Sequence, residues 1–272
     1  TKKELLGSLV GILDQYMPEV EEMPDQTWNQ AKLYIPHLSL LCKDGQATLS
    51  DDLVVASLIA RLGTYSRTVN CDYKSGLQYA KRVLAIHQNL YQGNHADIAR
   101  SLNNVGSAYN DLGQSKEALK YYQQALEMRQ ALYTGNHPNI ASSLNNVGAA
   151  YDDLGQSMEA LKYLQQALAM NQALYTGNNP DIANSLNNVG AAYKVLGQSK
   201  EALKYYQQAL EMYQALYTGN NPDIANSLNN VGAAYKVLGQ SKEALKYYQQ
   251  ALEMYQALYT GNNPDIANSL NN

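Results

Sequence analysis

The forty-two residues from Asn178 to Gly219, NNPDIANSLNNVGAAYKVLGQSKEALKYYQQALEMYQALYTG, recur without a change from Asn220 to Gly261. The two preceding stretches of the same length are near copies. Asn136–Gly177 departs from the Asn178 copy at nine positions (137, 139, 142, 152, 153, 158, 164, 169 and 171), and Asn94–Gly135 at seven (95, 96, 100, 107, 110, 111 and 129). This period constrains the fold more than any local motif. A single short repeat cannot bury its own apolar face, so copies must stack on their neighbours, and chain length then counts repeats rather than domains.

Each repeat reads as two helices. In the Asn178 copy, Asn179 is a good N-cap, Pro180 suits the first helical position and Asp181 favours the positive helix end. Ile182, Leu186, Val189, Tyr193 and Leu196 recur at spacings of four, three, four and three, one helical stripe. Gly197 is expected to stop that helix and Ser199 to cap the next. The second helix places Ala202, Leu203, Tyr206, Ala209, Leu210, Tyr213 and Leu216 on one face. It runs to about Tyr217, and about 18 residues give a length of roughly 27 Å.

The rest of the chain is organised around these copies. Residues 1–48 depart from the period and read as an N-terminal helical cap or the tail of an upstream domain. Residues 49–93 read as a degenerate first repeat, with Leu77 opposite Leu119, Gly63 opposite Gly106 and Gly93 opposite Gly135. Four clear repeats occupy 94–261, and 262–272 starts a fifth.

Composition narrows the function classes. Hydrophobic residues make up 45% of the chain, enough for a continuous core, and the formal net charge is −4 with no strongly basic face. Nucleic acid is therefore not an expected partner. No stretch approaches the ~20 apolar residues of a membrane helix, so no membrane partner is expected. The two cysteines, Cys42 and Cys71, form neither a CxxC pair nor a disulfide framework, which fits a reducing compartment and a cytoplasmic location. His95 and His137 stand in the N-cap slot that Asn179 and Asn221 fill, so capping is preferred to metal binding. No P-loop or evident nucleophile–base set occurs, and neither an enzyme nor a cofactor is expected.

In the Asn94 copy Leu102, Gly106, Tyr109, Gly113, Ala118, Tyr122 and Ala125 resemble the pattern of the tetratricopeptide repeat (TPR), with Tyr122 where that family usually has Phe. The period of forty-two, the HPxIAxSLNN start and the long second helix resemble the kinesin-light-chain-like class. The resemblance covers about Ser50 to Asn272. It implies an all-α fold, a right-handed α-α superhelix (TPR solenoid) of stacked antiparallel helix pairs. It also implies that the concave groove, lined by the first helices, binds peptides or proteins.

Placing Leu102 toward the core at about 100° per residue locates a stripe opposite it: Asn103 and Ser107 at its near edge, then Arg100, Asp111 and Asn104. The candidate groove residues are Arg100, Asn103, Asn104, Ser107, Asn110 and Asp111 in one copy, and Ser142, Asn145, Asn146, Asp152 and Asp153 in the next. The last two copies contribute Asn184, Asn187, Asn188 and Lys194, then Asn226, Asn229, Asn230 and Lys236. The Asn pair repeats in every copy although asparagine costs roughly 0.5 kcal/mol against alanine in a helix. An amide offers donors and an acceptor that match a peptide group without demanding a side chain. The pair therefore reads as a ladder for an extended peptide, or else as bonding between adjacent repeats. Charge along the stripe would be acidic near Asp111, Asp152 and Asp153 and basic at Lys194 and Lys236. The expected function is a non-enzymatic protein- or peptide-binding scaffold. The alternative is a structural array that self-associates head to tail through its repeat interfaces.

Overall fold

The computed structural model describes residues 53–68 and 70–259. The expected element at 1–48, with Cys42, and the start of a fifth repeat at 262–272 lie outside them. Among the described residues there are ten helices and no strand: α1 (Leu53–Thr68), α2 (Tyr73–Leu90), α3 (Ala96–Asp111), α4 (Ser115–Leu132), α5 (Pro138–Asp153), α6 (Ser157–Leu174), α7 (Pro180–Val195), α8 (Ser199–Leu216), α9 (Pro222–Val237) and α10 (Ser241–Leu258). Two compact bodies divide the chain between Leu132 and Tyr133. In the first, α1 to α4 each pack on the next; in the second, α5 to α10 do the same, and α5 touches α7 as α7 touches α9. Consecutive helix pairs in contact make each body a short stack.

Local chemistry sets the helix ends. Asn179 and Asn221 cap α7 and α9, each accepting from the backbone N–H two residues on at 2.8 Å. His95 and His137 cap α3 and α5 through Nδ1, at 3.2 and 3.1 Å. Each of these imidazoles also stacks on a tyrosine four residues back, Tyr91 and Tyr133. At the other end of α7, Gly197 takes φ +74°. The Gln198 N–H then reaches Tyr193 C=O at 2.9 Å and the Gly197 N–H reaches Lys194 C=O at 3.0 Å, the double bond of a Schellman stop. The second helices begin differently from expectation. Gln198 and Gln240 hold the cap position without a side-chain bond, and Ser199 is the first helical residue of α8. The equivalent Ser157 instead donates to Asp152 Oδ1 at 2.9 Å, bracing its helix against the preceding one.

The core follows the stripes. Ile182, Leu186 and Val189 are buried on α7, while Tyr193 and Leu196 are half-buried at its end. Ala202, Tyr206, Ala209, Leu210 and Tyr213 are buried on α8. Within each repeat the helices meet at a glycine. A Cβ on Gly190 would lie 2.8 Å from two ring carbons of Tyr206, and one on Gly232 would lie 2.8 Å from Tyr248 Cε1. Gly106 meets Tyr122, and Gly148 meets Leu164, at 2.7 Å. Burial pushes the Tyr206 phenol up to about 12, with the charge of Asp152 adding to the shift. The tyrosines at the ends of the first helices stack on the second helix of their own repeat. Ring centroids are 5.4 Å apart for Tyr151–Tyr163 and 5.3 Å for Tyr193–Tyr205.

Polar groups join successive repeats through one slot. In the first body His87 of α2 is buried, with Nδ1 2.7 Å from Ser101 Oγ of α3. In the second body Asn171 of α6 holds the equivalent slot and donates to Ser185 Oγ at 2.9 Å and to Asp181 C=O at 3.2 Å.

Two outcomes follow from this packing. Gly190→Ala gains up to about 1 kcal/mol of helix propensity but overpacks the Tyr206 contact by about 1–3 kcal/mol. A net loss of about 1–2 kcal/mol in urea unfolding is expected, and a gain would show that the helices can move apart freely. Burial holds His87 below its ordinary value of 6.5, the Asp97 charge opposing and the Arg100 charge adding to that shift. The unfolded chain therefore binds the proton more readily than the folded one. Stability is full above about pH 6.5 and falls as pH drops below it. Urea midpoints near pH 7.5 and pH 5.5 should differ in the wild type, and His87→Gln should shrink that difference.

Candidate binding face on the first helices

The Asn pair divides. Asn187 of α7 donates from Nδ2 to Ser227 Oγ of α9 at 3.1 Å, and Asn145 of α5 donates to Ser185 of α7 at 3.4 Å. The first Asn of each of these pairs therefore lies in the seam between successive first helices. The Oδ1 atoms of Asn145 and Asn187 are buried there with no hydrogen-bond donor in the protein. Asn103 and Asn229 are half-buried like them. The second Asn is turned outward in two of the four copies. Asn104 and Asn188 are exposed, and Asn146 and Asn230 are half-buried. A wheel drawn on one helix puts both members near the same stripe, and only the neighbouring helix separates them.

The charged positions are partly spoken for. In the first body Asp111 pairs with the guanidinium of Arg67 on α1, which also donates to Ser107 Oγ at 2.6 Å. Arg67 can lie there because Gly76 stands opposite it, where a Cβ would collide with Arg67 Cγ. Asp111 is thus compensated rather than a free acidic end. Arg67 went unforeseen because it belongs to the degenerate repeat. Arg100 is exposed and pairs with Asp97 one turn earlier at 2.6 Å, and Asn110 is exposed. In the second body Asp152 accepts from Ser157, while Asp153, Lys194 and Lys236 stand exposed at the ends of α5, α7 and α9. Beside those lysines Val195 and Val237 are 57% and 64% exposed.

Position 142 and its equivalents behave unequally. Ser142 is exposed on α5. Asn184 and Asn226 are also exposed, but each accepts through Oδ1 from a buried phenol, Tyr213 and Tyr255 respectively, at 2.6 Å. Tyrosine hydroxyls elsewhere join successive repeats: Gln165 donates to Tyr193 and Gln207 to Tyr235, both at 3.1 Å. Among the described residues no group of three or more His, Cys, Asp or Glu side chains is placed to hold a metal ion. No described helix is long and apolar enough to cross a membrane.

The sequence profile of the tetratricopeptide repeat matches overlapping stretches at 56–131, 98–173, 139–215, 181–257 and 223–272. No functionally curated protein matches the chain significantly. Among solved structures, the nearly identical TPR-like repeats of a Podosopora anserina protein assigned to the kinesin light chains are 22% identical. That alignment covers 76% of this chain and 98% of the other, with a TM-score of 0.63. BtubC (BKLC) from P. vanneervenii is 20% identical over 86% of this chain and 92% of its own, with a TM-score of 0.67. Aspartyl phosphate phosphatase F from Bacillus subtilis is 18% identical over 94% of this chain and 61% of its own, with a TM-score of 0.64. At these identities the likeness is one of fold. Tandem profile matches over most of the chain, together with stacked helix pairs that meet at glycine, place this protein in the tetratricopeptide repeat family.

Proposed function

We propose that the chain is a non-enzymatic scaffold that holds a protein or an extended peptide along the outward face of its first helices. TPR stacks are typical vehicles of protein–protein interaction, and helix pairs offer such a face in every repeat. The observation that carries the reading is the division of the Asn pair. Asn187 is drawn into the seam, whereas Asn188, next in sequence and equally unfavourable in a helix, is exposed on the outward side. An exposed amide on a helix face can donate to and accept from a peptide group. The acidic end at Asp153 and the basic ends at Lys194 and Lys236 would then set the direction in which a ligand with oppositely charged ends lies. Ser142, Asp152, Asn146 and Asn230 belong to the same face, and Arg100, Asn104 and Asn110 to its counterpart in the first body.

Two sets of substitutions test the division. Asn187→Asp removes the donor to Ser227 and puts a charge in the seam, so urea unfolding should show a loss of about 1–3 kcal/mol or more. Asn188→Asp should stay within about 0.5 kcal/mol of wild type. Peptides selected from a random display library on the wild-type chain should lose affinity for the Asn146→Ala, Asn188→Ala and Asn230→Ala triple variant, with helicity retained. Undiminished binding by that variant would contradict the reading.

A further inference from the structure

We propose that Asn184 and Asn226 are donor-presenting subsites for main-chain carbonyl groups of an extended peptide, fixed in that polarity by Tyr213 and Tyr255. The inference rests on the peptide-binding reading above and assigns the chemistry of two of its positions. An Asn amide has two ends, and an exposed one ordinarily turns either of them to a ligand. Here the choice is made from beneath. Tyr213 on α8 is 1% exposed and donates its hydroxyl to Asn184 Oδ1 on α7 at 2.6 Å. Tyr255 on α10 does the same to Asn226 on α9 at 2.6 Å. That separation suits O–H···O, whose usual value is about 2.7–2.8 Å, better than the N–H···O value of about 2.9–3.0 Å. The carbonyl end of each amide therefore meets the phenol, and the NH2 end is left on the exposed side.

Two further observations point to an acceptor-bearing ligand. The device is confined to the last two copies. The preceding repeat has Ser142 and Asn171 at these positions, and Asn171 bonds to the next repeat instead. The same two helices, α7 and α9, end in exposed Lys194 and Lys236, where α5 ends in Asp152 and Asp153. The faces of α7 and α9 thus offer N–H groups where that of α5 offers carboxylates. Asn188 lies one turn beyond Asn184, about 6 Å along the axis. Alternate carbonyls on one edge of an extended peptide are about 6.7 Å apart, so one edge can meet both amides. Tyr213 and Tyr255 are positioning residues in this scheme, since they act on a ligand only through the amides.

The test uses the full chain labelled with 15N and two capped probes, an oligoproline and an oligoglycine of about nine residues. Oligoproline carries main-chain acceptors without main-chain N–H groups, and its left-handed helix, at about 3.1 Å per residue and three residues per turn, presents those carbonyls on every side, so each amide can meet one. Oligoproline should shift the side-chain amide resonances of Asn184 and Asn226. The Tyr213→Phe, Tyr255→Phe double variant should keep its circular dichroism yet bind oligoproline roughly fivefold to tenfold more weakly, since the amides lose their fixed orientation. A purely packing role for the two phenols would leave that affinity unmoved, and an unchanged affinity would overturn the positioning. Shifts with oligoglycine alone would overturn the donor polarity while leaving the peptide-binding face standing. No shift on any first helix with either probe would overturn that face and this inference together.

Discussion

The two helices of each repeat lie as close as they do because one of them carries glycine where they meet. Gly106, Gly148, Gly190 and Gly232 each face a large side chain at a distance that leaves no room for a Cβ. Everything else in the stack is arranged around that approach. Alanines 202 and 209 flank Tyr206 on the opposite helix, all of them buried, so the ring has a fixed slot. A fixed slot for the ring sets how α7 lies on α8, and therefore which residues of α7 remain outside. Interiors packed to this density respond to one added methyl group, which is why the contact controls the face as well as the core.

Between repeats the constraint is chemical as much as steric. Buried apolar side chains from successive repeats merge: Leu164 and Leu168 of α6 share a cluster with Ile182, Leu186 and Val189 of α7, and Tyr206 and Tyr213 share another with Ile224 and Leu228 of α9. Apolar surfaces alone permit small slips. The Asn187–Ser227 and Asn145–Ser185 bonds do not, because a shift in register would strand polar atoms in the seam. One slot shows how the same junction tolerates different residues. His87 and Asn171 reach the serine of the following first helix, whereas Tyr213 and Tyr255 turn their hydroxyls back to their own first helix, Tyr213 while sharing a cluster with Ile224 and Leu228 of the next repeat. Changing that one residue redirects a hydrogen bond from the seam to the outward face, which is how a core position comes to influence binding chemistry.

Helix positions, lengths and most ends were legible in the sequence because they depend on local signals. The four-three spacing, Asn179 before Pro180 and Gly197 after Leu196 each act within a turn or two. Ser199 misled because a serine before a helix resembles a cap until the backbone shows the helix already begun at it. The binding face was only half legible. A helical wheel places Asn187 and Asn188 on nearly the same side, and what parts them is Ser227, forty residues away on the next first helix. Asp111 read as a free acidic end because its partner, Arg67, lies in a repeat whose sequence has drifted, held in place by a glycine that only the packed structure explains. Asn184 is legible as a groove candidate, but its tie to Tyr213 is not, since it spans the two helices of one repeat.

Like repeats held together by neighbour contacts should each add a similar intrinsic and interfacial stability. The Asn178 and Asn220 copies are identical, so removing either yields one and the same shortened chain, and inserting a third copy lengthens the stack without a new kind of contact. Urea unfolding followed by circular dichroism on the shortened, natural and lengthened chains tests this directly. Constant helicity per residue and a midpoint that rises with each copy are expected. Loss of folding in the shortened chain, or a midpoint indifferent to copy number, would contradict it.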